Sequence, residues 1–210
     1  MGSKERRERE KMATRQRILD AARELFVENG YEAVTMRKIA DRIEYSPTAI
    51  YVHFADKESL MTELSVCDFR AFTEAFSLVP TNGDAVETLH ALGRALIQFA
   101  REFPHQYRLL FMTERPKVDP ALKPGADAYT LLVGAVTSAL AAGAIHPSWD
   151  PHVVAQTLWG SLHGLVALHL VMPPDGTIPM RPLDGLCETA MTLLLRGFGL
   201  DCGCVAIPDR

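Results

Sequence analysis

The chain has 210 residues, of which 48% are hydrophobic and 23% are charged. This composition excludes a disordered or fibrous protein, and the length excludes a disulfide-stapled miniprotein. The net charge of −4 excludes a uniformly basic nucleic-acid coat protein, although residues 1–60 carry 12 Lys and Arg against 11 Asp and Glu while residues 61–210 carry 10 against 15.

Cysteine placement and apolar segments predict where the chain resides. The four cysteines are scattered and the first residues are charged, which predicts a reducing cytoplasm without structural disulfides. The most apolar segment, residues 153–172, contains Gln156, His163 and His169. We therefore expect no membrane span.

The N-terminal charge run, residues 3–11, has no apolar face. This pattern predicts a flexible, solvated tail over residues 1–12. The alternative is that Arg6, Arg7 and Arg9 reach a phosphate or the minor groove, as basic arms do in several DNA-binding proteins.

Two helices are predicted first. Apolar residues recur at helical spacing from Thr14 and stop at Asn29-Gly30, a sequence typical of a helix end. Thr35 is placed to cap a second helix of about two turns, residues 36–43.

Ser46 followed by Pro47 begins a third short helix, which is predicted to end near His53. Its residues Ile50 and Phe54 lie one turn apart and face the core, so the other side is exposed. Two short helices behind a longer one are typical of a helix-turn-helix, whose second short helix enters the major groove of DNA. A tight helical hairpin in any bundle has the same pattern.

The next helix begins after Asp56, which is placed to cap it. Lys57 then lies near the positive end of this helix, where backbone amides and an ammonium group together can hold a phosphate.

Five short motifs follow one another between Thr14 and Leu64. They are Arg17-Ile18-Leu19-x-Ala21-Ala22-x-x-Leu25-Phe26, Gly30-Tyr31, Thr35-Met36-x-x-Ile39-Ala40, Ser46-Pro47-x-Ala49-Ile50-Tyr51-x-His53-Phe54 and Lys57-x-x-Leu60. In this order and spacing they resemble the DNA-binding domain of the TetR family of repressors. The resemblance implies an all-α homodimer of about nine helices, with a three-helix helix-turn-helix domain followed by a larger helical bundle that binds effectors and dimerises.

The resemblance also implies roles by position. Thr35, Tyr51 and Lys57 fall where family members contact phosphates, Thr48 and Val52 face the groove, and Tyr45 and His53 flank it. The full predicted DNA-binding set is Thr35, Arg37, Lys38, Tyr45, Ser46, Pro47, Thr48, Tyr51, Val52, His53 and Lys57. Base contacts select sequence, so Thr48, Val52 and Tyr45 are the specificity candidates.

None of those three side chains can make a bidentate base contact. Sequence specificity is therefore expected to depend on contacts with thymine methyl groups, on Arg37 and Lys38, and on DNA shape. Two alternatives stay open. His53 can instead cap the end of its helix by bonding a local carbonyl, and Tyr51 can be a packing residue.

Beyond Leu60 the chain reads as long helices divided by proline and glycine. They are predicted at about 57–78, 84–103, 105–112, 120–142, 150–171 and 183–198. We assign residues 13–58 to the helix-turn-helix domain, 59–200 to the effector-binding and dimerisation domain, and 201–210 to a tail. The last two helices are expected to form a four-helix dimer seam with Leu165, Leu186, Ala190, Leu193 and Leu194.

Two motifs in this region are similar to a C-terminal subtype named for its Trp, His and Gly residues: Trp159-Gly160-x-x-His163-Gly164 and Phe99-x-x-x-x-Pro104-His105-x-Tyr107-Arg108-Leu109-Leu110-Phe111. A mainly apolar effector cavity is predicted, lined by Phe72, His90, Tyr107, Phe111, Trp149, Trp159 and His163. Gly134, Gly143, Gly160 and Gly164 remove side-chain volume along its helices. Trp159 and His163 can alternatively be ordinary core residues.

Motifs of hydrolases, nucleotide-binding proteins and zinc proteases are missing from the sequence, and the histidines lack metal-ligand spacing. We predict no enzyme, no catalytic residue, no cofactor and no metal site. Cys202-Gly-Cys204 cannot complete a zinc site alone, so it is either a solvent-near tail or a metal- or redox-sensing pair.

The predicted function is a repressor that leaves a near-palindromic operator when a small, mainly apolar effector binds. One alternative is a helical ligand-binding protein or enzyme that retains a vestigial DNA-binding domain. Another is a protein-interaction module.

Overall fold

A computed structural model describes residues 2–114, 125–172 and 178–199. Over these ranges the chain forms nine α-helices and no strand, which confirms the all-α prediction. The helices are α1 (Ser3–Asn29), α2 (Met36–Arg42), α3 (Pro47–Tyr51), α4 (Lys57–Ser77), α5 (Ala85–Glu102), α6 (Pro104–Phe111), α7 (Ala126–Ala141), α8 (Pro151–Val171) and α9 (Leu183–Phe198).

Helix ends agree with the sequence prediction to within two residues in most cases. The predicted start of α7 at 120–124, the predicted tail 201–210 and the pair Cys202 and Cys204 lie outside the described residues. Two compact units divide the described chain, one comprising residues 2–71 and 103–114 and the other residues 72–102, 125–172 and 178–199. The predicted domain limits at residues 12, 58 and 200 stay predictions.

The first helix is longer than predicted. It begins at Ser3, so the segment expected to be a flexible tail forms its first turns instead. Lys, Arg and Glu all have high helix propensity, and the Gly2 amide donates to the Glu5 carboxylate at 3.1 Å. An i,i+4 ion pair between Arg6 and Glu10 adds a small contribution. The expectation of solvation holds, because residues 4–13 are exposed.

The core of the first unit joins five helices. Fully buried apolar side chains come from α1, α2, α3, α4 and α6: Ile18, Ala22, Phe26, Ile39, Ala40, Ile50, Leu60, Met61, Leu64 and Leu109. Leu109 places α6 in this unit although α6 is distant in sequence from the other four helices. Burial of these side chains supplies the main stabilisation of the unit.

The turn between α2 and α3 contains the one non-glycine residue with a positive φ among the described residues, Glu44 at φ 59°. The turn is closed by a hydrogen bond from the Tyr45 amide to the Ala40 carbonyl at 2.9 Å. A left-handed conformation costs an ordinary L-residue about 1–2 kcal/mol because its Cβ approaches a backbone oxygen.

Replacing Glu44 by glycine is therefore expected to stabilise the protein by about 0.5–1 kcal/mol, since glycine lacks the Cβ but loses more backbone entropy on folding. Thermal unfolding monitored by circular dichroism measures the effect. The matched control is Glu44→Ala, which removes the same charge but retains a Cβ and should not be stabilising. Equal melting temperatures for the two variants would contradict the assignment of strain to this turn.

Helices α5, α7, α8 and α9 pack against one another in the second unit. Gly93 lets α5 approach its neighbours closely, because a Cβ at this position would lie 3.2 Å from Leu162 Cδ1 on α8 and 3.5 Å from Met191 Cγ on α9. Fully buried side chains such as Leu89, Val136 and Val154 fill the interior of this unit.

Helix α8 is long and apolar enough to cross a membrane by length and composition, and no other helix among the described residues passes this test. The observation is weak evidence for a span, since core helices of soluble proteins pass the same test. Only 28% of its most apolar window is buried within the protomer, which leaves much apolar surface without cover.

Candidate nucleic-acid interface

Helix α3 presents an exposed face on the surface of the first unit. We define the α3 face as Ser46, Pro47, Thr48, Tyr51 and Val52, all of which are exposed. Tyr51 is 53% and Val52 71% exposed, although both are large hydrophobic residues. Ile50 is fully buried on the opposite side, so the orientation predicted for this helix is confirmed.

Three side chains cap the helices around this face as predicted. Thr35 Oγ1 accepts from the Lys38 amide at 3.2 Å, and Ser46 Oγ accepts from the Ala49 amide at 3.3 Å. Asp56 Oδ1 accepts from the Ser59 amide at 2.7 Å. Hydrogen bonding to Ser59 lowers the pKa of the Asp56 carboxyl group. The caps hold the N-termini of α2, α3 and α4 in defined positions.

Two of the lysines in the predicted DNA-binding set bond to backbone carbonyls. The ammonium group of Lys38 donates to the Ala33 carbonyl at 2.8 Å. The ammonium group of Lys57 donates to the Tyr31 carbonyl at 2.9 Å and lies 4.1 Å from the centre of the Tyr31 ring. Each ammonium has three donors, so two donors of each remain for a phosphate. Arg37 is exposed and forms no ion pair with a described residue.

Tyr45 is more enclosed than the sequence suggested. It is half-buried and packs against the core of the first unit. Its hydroxyl group accepts from Arg17 Nη1 at 3.3 Å, and the Arg17 guanidinium lies 5.2 Å from the centre of the Tyr45 ring. Tyr45 therefore supports the turn before α3 while its hydroxyl group remains near the surface.

His53 follows α3 and is also half-buried. Its Nδ1 atom is buried without a hydrogen-bond partner among the described residues, so the capping alternative is not observed. Burial, then the charges of Arg15 and Lys11, lower the pKa of the His53 imidazole. These effects favour the neutral form of the His53 imidazole.

Arg15 fixes the C-terminal end of α3, a role that sequence reasoning missed. Its Nη1 donates to the His53 carbonyl at 2.7 Å, its Nε donates to Glu63 at 2.8 Å, and its Nη2 donates to the second Glu63 oxygen. The guanidinium also lies 4.2 Å from the centre of the Phe54 ring. No local pattern signals this contact, because its partners are 38 and 48 residues away.

A buried ion pair, also missed, ties α1 to α4 and α6. Arg23 Nε and Nη2 donate to the two Asp68 oxygens at 2.9 and 2.7 Å, and Gln106 donates to Asp68 at 3.3 Å. Asp68 is only 1% exposed. Burial disfavours the charge of Arg23, but its hydrogen bonds and charge interactions with Asp68 and Asp20 outweigh burial and raise the pKa of Arg23.

The predicted effector residues fall in both compact units. Tyr107 and Phe111 belong to the first unit, where their ring centres are 4.9 Å apart. The other five, Phe72, His90, Trp149, Trp159 and His163, belong to the second unit. Tyr107 and Phe111 are thus predicted effector residues that the fold brings into contact.

Each effector candidate of the second unit has its own surroundings. Phe72 packs on Phe76 and Phe99, His90 Nδ1 is 2.9 Å from a Glu188 oxygen, and the Trp149 ring packs edge-on against Phe198. Trp159 is 39% exposed, whereas His163 is half-buried and burial lowers its pKa. Their joint role in an effector site stays a prediction.

The four glycines expected to leave an internal cavity do not lie in the interior. Gly134, Gly143 and Gly160 are exposed and Gly164 is half-buried. A Cβ at any of them would meet nothing within 4 Å. The reasoning from glycines to a cavity was therefore wrong, because sequence spacing does not reveal which side of a helix its glycines face.

A unit whose short helices are capped and whose α3 presents an exposed face defines a helix-turn-helix protein of the DNA-binding class. Comparison with protein families agrees. Residues 18–64 match the family described as bacterial regulatory proteins, tetR family, and residues 89–194 match the tetracyclin repressor-like C-terminal domain. The chain belongs to the TetR family, whose members are transcriptional regulators and not enzymes.

The C-terminal match does not confirm the Trp, His and Gly subtype suggested by the sequence. Three curated relatives illustrate the N-terminal similarity. The regulator TcmR of Streptomyces glaucescens is 32% identical over 97 residues, 46% of this chain and 42% of the relative. The regulator UidR of Escherichia coli K12 is 42% identical over 59 residues, which are 28% of this chain and 30% of the relative. The repressor AcnR of Corynebacterium diphtheriae is 41% identical over 69 residues, which are 33% of this chain and 35% of the relative. The chain spans less than half the length of these relatives.

Solved structures show the same fold at low identity. A tetR-family regulator from Rhodococcus RHA1 has a TM-score of 0.74 at 22% identity, covering 89% of this chain and 97% of that one. The ketosteroid regulator KstR2 of Mycobacterium tuberculosis has a TM-score of 0.70 at 19% identity (90% and 96%). FadR of Bacillus subtilis, in complex with stearoyl-CoA, has a TM-score of 0.70 at 21% identity (87% and 98%).

Proposed function

We propose that this protein is a ligand-responsive transcriptional repressor that binds a near-palindromic operator as a homodimer in the cytoplasm. The observation that carries the proposal is the α3 face, where Tyr51 and Val52 are exposed on a short helix whose other side is fixed in the core. An exposed apolar and aromatic surface of this kind suits thymine methyl groups and the sugar-phosphate backbone in the major groove.

Each predicted residue has a proposed role at the DNA. Thr35, Tyr51 and Lys57 contact phosphates and set the position of α3, while Thr48 and Val52 contact base edges. Arg37 and Lys38 follow the Thr35 cap at the start of α2 and add positive charge there. Ser46, Pro47, Tyr45 and His53 complete the surface.

Loss of a phosphate contact should change the salt dependence of binding. We expect Tyr51→Ala and Lys57→Ala each to weaken binding to every duplex, and Lys57→Ala to flatten the slope of log K against log salt by about 0.9 per protomer, because one fewer counterion is released. Fluorescence anisotropy with a labelled duplex at several salt concentrations measures both quantities.

The matched comparison is Thr48→Ala, which is expected to alter the preferred sequence in a selection from random duplexes while the salt slope remains that of the wild type. Wild-type slopes for Lys57→Ala would contradict its phosphate role. No measurable DNA binding by the wild-type protein would contradict the repressor proposal and favour a carrier or enzyme with a vestigial DNA-binding domain.

The dimer is proposed to form through α8 and α9. These helices leave apolar side chains uncovered, with Leu168, Val171 and Leu193 exposed by 47%, 64% and 63%. The predicted seam residues Leu165, Leu186, Ala190 and Leu194 are half-buried in the protomer. A second copy would cover this surface and space two α3 helices by about 34–36 Å, one turn of DNA.

The proposed effector is mainly apolar and carries a few polar groups, as the predicted residues Phe72, His90, Tyr107, Phe111, Trp149, Trp159 and His163 would require. FadR was solved with stearoyl-CoA and KstR2 is a ketosteroid regulator, so acyl thioesters and steroids are reasonable first probes. Helix α4 contributes residues 57–71 to the first unit and 72–77 to the second, which makes it the proposed route of coupling.

An effector acts only if it binds the DNA-free arrangement more tightly than the DNA-bound one. We expect a cognate acyl thioester or steroid to lower DNA affinity by roughly 5–150-fold, the usual range of such coupling. A gel-shift titration with duplex and each probe measures the change. A probe that binds free and DNA-bound protein equally well would contradict the coupling while leaving the DNA-binding assignment intact.

A further inference from the structure

The first three turns of α1 extend beyond the core of the first unit. Residues 4–13 are exposed, and the first fully buried side chain of the helix is Ile18. A helix that is polar on all sides gains nothing from core packing and needs another source of stabilisation or another use. The charges on this extension are not evenly arranged around it.

Three basic residues share one side of the extension. With 3.6 residues per turn, Lys4, Arg7 and Lys11 fall with Arg15 in an arc of about 80°. Arg6 and Arg9 lie on the opposite side, and Glu10 lies between Arg6 and Arg7. We define the basic stripe as Lys4, Arg7 and Lys11.

The stripe consists of side chains that have no partner among the residues that the structure describes. Lys4, Arg7 and Lys11 form no ion pair or hydrogen bond with a described residue. Neighbouring charged residues do have partners: Arg6 pairs with Glu10 at 3.2 Å, and the Glu5 carboxylate accepts from the Gly2 amide. Glu8 at the edge of the arc is the one nearby acidic residue that has no such partner.

The stripe leads to the end of the α3 helix. Arg15, one turn beyond Lys11, donates to the carbonyl of His53, which follows the exposed residues Tyr51 and Val52. Lys11 is close enough to His53 to contribute, after burial and Arg15, to the lowered pKa of its imidazole. The stripe therefore begins one turn before Arg15, which bonds the end of α3, and continues for about 10 Å along α1.

We propose that Lys4, Arg7 and Lys11 contact the phosphate backbone of DNA beside the groove that α3 enters. This inference rests on the proposed DNA-binding function and adds to it a second, sequence-independent contact surface. Unpaired cations at the flank of a recognition helix meet the phosphates on that side of the groove, and each contact releases a counterion. Of the three arginines that the sequence suggested for DNA contact, the proposal includes Arg7 and leaves out Arg6 and Arg9.

A pair of charge-matched variants tests the stripe. Arg7→Gln with Lys11→Gln removes two positive charges per protomer from the stripe, and Arg6→Gln with Arg9→Gln removes two from the opposite side. We measure anisotropy with a labelled 40-base-pair duplex of random sequence and with a duplex selected by the wild type, each at several salt concentrations. For both duplexes the stripe variant is expected to flatten the salt slope by about 1.8 per protomer and to lower affinity about tenfold per lost contact at 0.1 M salt.

Each outcome decides between the alternatives. If both double variants change the salt slope and the DNA affinity equally, net charge explains the effect and the proposal is overturned. A wild-type salt slope in the stripe variant would also overturn it. A conservative exchange, Arg7→Lys with Lys11→Arg, retains both charges and should keep the wild-type slope, which separates lost contacts from a frayed helix. If the wild type itself shows no salt-dependent DNA binding, the proposed function fails rather than the stripe alone.

Discussion

Asp68→Ala is expected to destabilise the protein by about 3–5 kcal/mol, the typical cost of removing one partner from a buried ion pair. Asp68 is 1% exposed and accepts two hydrogen bonds from Arg23 and one from Gln106. Its removal leaves the Arg23 guanidinium enclosed with a single carboxylate partner, Asp20. Urea unfolding monitored by circular dichroism measures the loss.

The matched control uses the other partner of the same arginine. Asp20 pairs with Arg23 at 2.7 Å, but its side chain is 52% exposed. Because exposed pairs contribute little, Asp20→Ala should cost at most about 1 kcal/mol. Similar losses of unfolding free energy for the two variants would show that burial does not determine the importance of the pair.

Leu193→Glu is expected to convert the dimer to a monomer and to weaken operator binding by about 10²–10⁴-fold. Leu193 is 63% exposed on α9, within the surface proposed to cover α8 and α9 of a second copy. A buried, unpaired carboxylate in that seam costs more than the interface gains there. The loss of DNA affinity follows because two linked helix-turn-helix domains bind DNA far more tightly than one.

Light scattering measures the mass, which should fall to that of one 23.2 kDa chain at micromolar concentration. The matched control is Leu78→Glu, since Leu78 is 83% exposed but follows α4 and lies outside α8 and α9. That variant should remain dimeric and bind the operator. A dimeric Leu193→Glu protein would place the interface elsewhere.

The local features of the first unit were predictable from the sequence alone. The Thr35, Ser46 and Asp56 caps each bond an amide three residues away, so the whole interaction lies within a short window. Apolar spacing likewise identified the buried side of α3 through Ile50. Caps and helical periodicity depend on near neighbours, and this is why these predictions were confirmed.

One local prediction was wrong for a local reason. The charge run of residues 3–11 was expected to be a flexible tail because it lacks an apolar face, yet it continues α1 from Ser3. High helix propensity and attachment to a helix that the core already stabilises are sufficient, since extending a helix needs no new nucleation.

The tertiary structure alone decided which distant residues meet. Arg15 joins His53 and Glu63 across 38 and 48 positions, and Arg23 joins Asp68 across 45. A charged residue on an amphipathic helix has the same sequence signature whether it faces water or a partner, so only the packing of α1 on α4 distinguishes the two. The same limit explains why Gly160 was assigned to an interior that it does not line, and why α6 joins the first unit through Leu109. Chain order and helical spacing determine the elements and their apolar sides, whereas long-range packing determines the neighbours of each side.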